Sequence, residues 1–410
     1  MYRLALLFLL AASAWHPLTR PNPALLRSVK DSTQSGVRIS SQTPIYTFGS
    51  QVIFRANLQS DQAPEQTLLY VSARTQDVRI YPQTPAADGS LVYQLDLKQD
   101  ALRPFTRVYY WYKVKLPGAP EVTSPSFWFD YTDNRFTWQT LDSNLFRIHW
   151  IDGDAAFAQS VLEVAQTGFK VNQGILPVAP PASPIDIYVY SHAKDLQSAL
   201  DLGGMTWVAG HASPDLGVVW VSLPQGPDQR LQMEQQVPHE LSHVLIYQIT
   251  GSAYSRLPAW LVEGLASMVE LYPNSDYPLV IEVARQKKTL LSMSALCQAF
   301  PRDASNAYLA YAESESFMRY LNTTYGVSGI QHLIQRYLDG MGCSEGASAA
   351  LGVSLNTLDN HWQKEVLGVN ITSLALDRLL PYFVPVALVV IPFVGVGLYY
   401  RYGKKQLKHA

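Results

Sequence analysis

Charge is scarce in this chain of 410 residues: Asp, Glu, Lys and Arg make up 16% and leave a formal net charge of −2. With no basic patch, the composition excludes the electrostatic footing of a nucleic-acid-binding protein. Cysteine is scarcer, at 2 residues, Cys297 and Cys343, so one bridge is the most the sequence allows. An oxidising surrounding permits that bridge; free buried thiols are the other reading. Histidine occurs only 9 times, which makes any regular spacing of it informative. Long apolar runs are confined to the ends. Residues 1–14 carry Arg3, the apolar stretch Leu4–Ala12 and the small-residue sequence Ala12-Ser13-Ala14, the pattern of a secretory signal and too short to span a bilayer.

The other terminal run has different consequences. Leu379–Tyr400 is 22 residues without a charge, long enough as a helix for the ~30 Å hydrocarbon core. Pro381, Pro385 and Pro392 interrupt it, but lipid-embedded helices tolerate proline better than soluble ones. Tyr399 and Tyr400 suit the interface, and Arg401, Lys404, Lys405 and Lys408 follow in a basic tail, 401–410. The expectation is a single transmembrane helix over 379–400 with a cytoplasmic tail. A single-pass protein of the cell membrane results, with everything before the helix extracytoplasmic. A buried apolar helix is the alternative.

After a linker over 15–40, residues 41–131 read as short strands. Val52, Phe54, Ala56 and Leu58 alternate with polar neighbours, and similar runs recur at 67–71, 91–97, 108–114 and 126–131. Turn signals such as Asp88-Gly89 and Pro117-Gly118 separate them. Such spacing predicts an all-β immunoglobulin- or fibronectin-like sandwich, serving as a spacer or substrate-presenting domain. Tyr109-Tyr110-Trp111-Tyr112 has the look of a sugar-binding platform, but alternating aromatics on a strand more often fill a core. From 132 to 372 the pattern becomes mixed. Strands are predicted at 146–151, 185–190 and 218–222, and helices at 155–171, 231–250, 258–271, 305–324, 327–339 and 355–366. That is an α+β arrangement.

Within those helices, residues 239–243 read His-Glu-Leu-Ser-His. On a helix, positions i and i+4 share a face, so two imidazoles stand one turn apart and can grip one divalent ion. Glu240 lies beside the open coordination position. A hydrolytic zinc site needs three protein ligands and leaves a fourth position for water. The metzincin pattern, which would need Gly at 246 and His at 249, fails because both positions are isoleucine. Glu263, twenty residues past His243 in Pro258-Ala259-Trp260-Leu261-Val262-Glu263-Gly264-Leu265-Ala266, is the candidate from a second helix. Gly251 offers a stop for the first helix and Pro258 a start for the second. Gly264 and Ala266 are small enough for the two helices to approach around a metal. Pro238 is best placed in the first turn, or at a kink just before His239.

HExxH, about twenty residues, then W-L-x-E-G-x-A resembles the gluzincin metallopeptidases, most nearly the peptidase MA-like membrane-associated group, over roughly 132–366. The resemblance implies a thermolysin-like α+β peptidase domain and one catalytic zinc ion held by His239, His243 and Glu263. Glu240 would be the general base, and the substrate a peptide or protein. It also implies a tyrosine stabilising the oxyanion at the start of a later helix, which by match is Tyr311, with Tyr308 one turn away left open. Tyr311 as a plain core aromatic is the alternative. His211 is either a substrate contact on a strand edging the cleft or structural.

Two positions depart from relatives. Thr206, in Gly203-Gly204-Met205-Thr206, stands where an exopeptidase carries a glutamate for the free amine, which favours an endopeptidase. Ser267 stands where thermolysin-like sequences carry an aspartate supporting the first ligand. The rival from another class is a cell-surface binding or adhesion protein whose metal site only supports the fold.

Overall fold

Val52, Phe54, Ala56 and Leu58 are buried while Gln51, Ile53, Arg55 and Asn57 are half-buried, so the period of two in the sequence becomes one covered face of a strand. The computed structural model describes residues 36–74, 77–200, 209–369, 385 and 388–394. They divide into two units after Arg135.

The first unit is β-rich: β1 (Val37–Ser41), β2 (Ile45–Thr47), β3 (Gln51–Ser60), β4 (Gln66–Arg74), β5 (Asp77–Gln83), β6 (Ser90–Asp96), β7 (Thr106–Lys115), β8 (Val122–Thr123) and β9 (Phe127–Tyr131). One antiparallel sheet has β3 at its centre, paired with β1, β2 and β6; the other runs β5-β4-β7-β8, with β9 also on β7. Their inner faces meet through aromatic rings, Phe54 lying edge-on to Tyr110 with centroids 5.1 Å apart. Tyr110 and Tyr112 are buried in that core, whereas Tyr109 and Trp111 stand on the outer face.

The second unit comprises β10 (Gln139–Asp142), β11 (Phe146–Trp150), α1 (Ala155–Gln173), β12 (Ile185–Tyr190), α2 (Ala193–Leu200), β13 (Gly210–Ser213), β14 (Val218–Ser222), α3 (Gln229–Thr250), α4 (Ala259–Met268), α5 (Tyr277–Lys287), α6 (Ala304–Leu338), α7 (Cys343–Leu351) and α8 (Leu355–Glu365). The sheet order is β10-β11-β12-β14-β13, with β11, β12 and β14 parallel and the two edges antiparallel. α6 breaks its helical path at Gly326, where φ is 66°, which is why the sequence reads as two helices there. Phe146, Val219, Leu241, Leu245, Trp260, Phe317 and Trp362 belong to one buried core joining sheet and helices. Cys297 and Cys343 form a disulfide. Beyond the expected elements are β1, β2, β5, β8, β10, α2, α5 and α7, most of them short.

The composite fold class drawn from sequence requires correction. Among the described residues no helix is long and apolar enough to cross a membrane. Within the expected anchor at 379–400, the described helical run covers 388–394. The single transmembrane helix does not stand, and the single-pass placement in the cell membrane falls with it. What holds is a β-rich N-terminal region followed by a mainly helical part. The signal sequence at 1–14, most of the linker, Thr206, the basic tail and the rest of 379–400 lie outside the described residues.

Candidate metal centre

α3 buries Val237, Leu241 and Leu245 completely, and the two histidines rise from its other side with ring centroids 5.2 Å apart. Of the two placements open from sequence, the first turn or a kink just before His239, the first does not hold: Pro238 lies in the middle of this 22-residue helix. A proline offers no N–H to the carbonyl four residues back. That carbonyl, of Glu234, accepts instead from the Leu271 N–H at 2.9 Å. The lost helical bond therefore becomes a tether between α3 and the chain just beyond α4. The proline ring faces α1, where a Cβ added to Gly168 would lie 3.0 Å from Pro238 Cβ.

α4 carries Glu263, with Trp260 and Leu261 fully buried on either side of the turn. Gly264 does permit a close approach, though not the expected one to α3. A Cβ there would lie 2.5 Å from both the Ser314 carbonyl oxygen and Met318 Cγ, so the small residue seats α4 on α6. α6 in turn delivers Tyr311.

The three expected ligands come together. His239 Nε2 and His243 Nε2 lie 3.5 Å and 3.6 Å from the same atom, Glu263 Oε2, and one ligand atom from each residue falls within 4.8 Å of the others. Glu263 Oε2 is buried and has no hydrogen-bond partner. An ion with bonds of about 2.0–2.1 Å in tetrahedral geometry sets neighbouring ligand atoms roughly 3.3 Å apart. The spacing thus suits a shared cation better than hydrogen bonds between the side chains.

Behind each imidazole stands a partner for its other nitrogen. His239 Nδ1 is 3.0 Å from Glu270 Oε1 and His243 Nδ1 is 3.0 Å from the Tyr254 hydroxyl. The carboxylate missing at Ser267 is therefore supplied from Glu270. Helical periodicity does not signal it, because Glu270 lies past the end of α4. Tyr254 carries no such signal, since its 3₁₀ turn, Gly251–Arg256, reaches His243 only through tertiary folding. Gly210 was also missed. A Cβ on this edge-strand residue would lie 2.6 Å from Glu240 Oε1, so the bare backbone of β13 forms the wall against which Glu240 rests.

Of the two candidate tyrosines, Tyr311 is the one beside the histidines, its ring 6.0 Å from that of His239 and edge-on to Phe300 at 5.1 Å. Tyr308 instead donates its hydroxyl to Asn274 Oδ1 at 3.0 Å. His211, on β13, is exposed and stacks on Trp220. It is near enough to act electrostatically on His243 and Glu263.

Three carboxylates, Glu240, Glu263 and Glu270, crowd two imidazoles in a poorly solvated space. Burial drives the Glu240 carboxyl up to about 8, His239 opposing the rise and Glu263 and Glu270 adding to it. Burial likewise pulls His243 down to about 4 against the attraction of Glu263. Burial also disfavours charge on His239, but Glu263 and Glu270 outweigh it and hold that imidazole well above its ordinary value. Glu263 is held low despite its burial, by His243 and His239. Burial, and then the charges of Glu263 and Glu240, keep the Tyr311 proton firmly bound. The cluster has an excess of buried acid that one divalent cation would neutralise.

Residues 169–368 match the family model of the Peptidase MA superfamily. The matched stretch runs from within α1 to just beyond α8 and contains every residue of the cluster. It supports a peptidase-like, hydrolytic function for this part of the chain, and peptidases of that superfamily are generally metal-dependent. No curated protein matches the chain. Among solved structures, BhCBM56 is 12% identical over 24% of this chain and 95% of its own, with a TM-score of 0.18. The sensor domain of an anti-sigma factor from Pseudobacteroides cellulosolvens is 12% identical over 24% of this chain and 96% of its own, with a TM-score of 0.20. A polysaccharide deacetylase from Bacillus cereus is 9% identical over 40% and 54%, with a TM-score of 0.19. At TM-scores of this size none of the three bears on fold or function.

Proposed function

We propose that the second unit is a zinc-dependent peptidase, an endopeptidase acting on peptide or protein substrates, with no nucleic-acid partner. The observation that carries this reading is Glu263 Oε2, buried, unpartnered and 3.5 Å and 3.6 Å from two imidazole nitrogens. His239, His243 and Glu263 would hold the ion. When bound, zinc supplies Lewis acidity, bringing the pKa of a coordinated water to about 7 and polarising a substrate carbonyl.

The remaining work falls to the chain. Glu240, buried beside Gly210, takes the proton of the attacking water on a carboxylate oxygen and passes it to the leaving amine. A carboxyl whose affinity for protons is raised by burial suits both halves of that transfer. Tyr311 keeps its proton and donates a hydrogen bond toward the oxygen on which negative charge develops. Glu270 accepts the His239 Nδ1–H and fixes the ring's orientation.

The test is cleavage of a peptide library by the purified chain, with and without a chelator, followed by zinc restoration. Cleavage that the chelator abolishes and zinc restores is the expected result. Bound zinc without cleavage of any peptide would overturn the enzymatic reading.

A further inference from the structure

We infer that Tyr254 is a positioning residue for His243: its phenol oxygen accepts the Nδ1–H and thereby turns the unprotonated Nε2 toward Glu263. The inference rests on the metal reading above for its purpose, though not for its geometry. A neutral imidazole carries one proton, so the nitrogen offered to a cation is bare only when the other is protonated and has an acceptor. For His243 that other nitrogen is 3.0 Å from the Tyr254 hydroxyl.

The opposite arrangement leaves an unsatisfied group. If the phenol donated to Nδ1, Nε2 would carry the proton and face Glu263 Oε2 across 3.6 Å, too far for a hydrogen bond. The carboxylate oxygen has no partner, and an N–H aimed at it from that distance would give neither group a hydrogen bond. Donation from Nδ1 to the phenol pairs the one proton of the ring instead.

A phenol also solves a charge problem that a carboxylate would worsen. His239 already leans on Glu270, and Glu263 Oε2 lies 3.5 Å and 3.6 Å from the two rings' Nε2 atoms, with Glu240 on the same helix as the histidines. A fourth acid behind His243 would deepen the buried negative charge, whereas a neutral hydroxyl accepts the N–H and adds none. The acceptor comes from neither of the two helices that carry the ligands. It arrives because the chain turns sharply at Gly251 (φ 56°) and runs back as the 3₁₀ turn, which closes with the Leu257 N–H donating to the Tyr254 carbonyl at 3.1 Å. Tyr247 backs the ring, with centroids 5.9 Å apart.

The experiment uses the full chain, metal-free and ¹⁵N-labelled at histidine, as wild type, Tyr254→Phe and Tyr247→Phe. Nitrogen chemical shifts report the His243 tautomer, and zinc is then titrated against a competing chelator. The expected result is an Nδ1–H tautomer in wild type and Tyr247→Phe. Tyr254→Phe should move toward Nε2–H, with zinc affinity weakened about 10- to 100-fold and an unchanged thermal midpoint. An unaltered tautomer in Tyr254→Phe would overturn the inference, as would an equal loss of affinity in Tyr247→Phe. If wild type binds no zinc, the proposed function fails while the tautomer still decides the role of Tyr254.

Discussion

Glu240 rests against a residue that has no side chain to move. A methyl group at 210 would stand 2.6 Å from Glu240 Oε1, and the far end of the glutamate is the part able to yield. Gly210→Ala is therefore expected to keep its fold but displace the base. A misplacement of about 1 Å costs on the order of 100-fold in rate. Peptide cleavage measured beside thermal unfolding checks this: activity should fall far more than stability. Helical periodicity made His239, Glu240 and His243 legible from sequence, and spacing to a second helix made Glu263 so. Glu270 was not, because it lies past the end of α4. Gly210 and Tyr254 were not, because an edge strand and a 3₁₀ turn meet the histidines only after the chain has folded.

Pro238 shows how an apparent fault in a helix can serve its neighbour. An interior proline costs a helix about 3 kcal/mol, which is why the sequence suggests the first turn or a kink before His239. In α3 it stays inside, and the carbonyl it frees holds Leu271, the residue after Glu270. Pro238→Ala returns an N–H that competes for the Glu234 carbonyl. The variant should be no less stable in thermal unfolding, yet bind zinc about tenfold more weakly as Glu270 loosens. Unchanged zinc affinity would remove the tether from the account.

α6 carries a second buried acid, Glu313, which accepts the Leu291 N–H at 3.1 Å and 3.2 Å. Burial pushes its carboxyl up to about 9, Leu291 opposing and Asp359 adding to the rise. Folded Glu313 thus holds its proton where the unfolded chain, near 4.5, has lost it. Its contribution to stability is fully present below about pH 4.5 and drains away as pH rises toward 9. Denaturant unfolding at pH 5 and pH 9 should show wild type losing more stability over that interval than Glu313→Gln. Equal losses would contradict the assignment.

Across the whole chain, the disulfide acts on one unit alone. Cys297 and Cys343 close a separation of 46 residues within the second unit, and Trp260 donates its indole N–H to Cys343 Sγ at 3.4 Å. The chain-entropy model assigns such a loop about 4 kcal/mol. Calorimetry with and without reductant should lower the unfolding transition of the second unit and leave that of the β-rich unit in place. A shift in both transitions, or in neither, would count against it. The β-rich front was legible because alternation maps directly onto a half-covered sheet. The transmembrane expectation rested on hydrophobicity and freedom from charge, and among the described residues no helix is long and apolar enough to cross a membrane.

Zinc titration into the metal-free chain, wild type beside Glu263→Gln, bears most directly on the centre. One ion per chain in wild type, and no site retained in Glu263→Gln, is the result that His239, His243 and Glu263 as joint ligands require. Equal stoichiometry and affinity in the two proteins would show that residue 263 holds no metal.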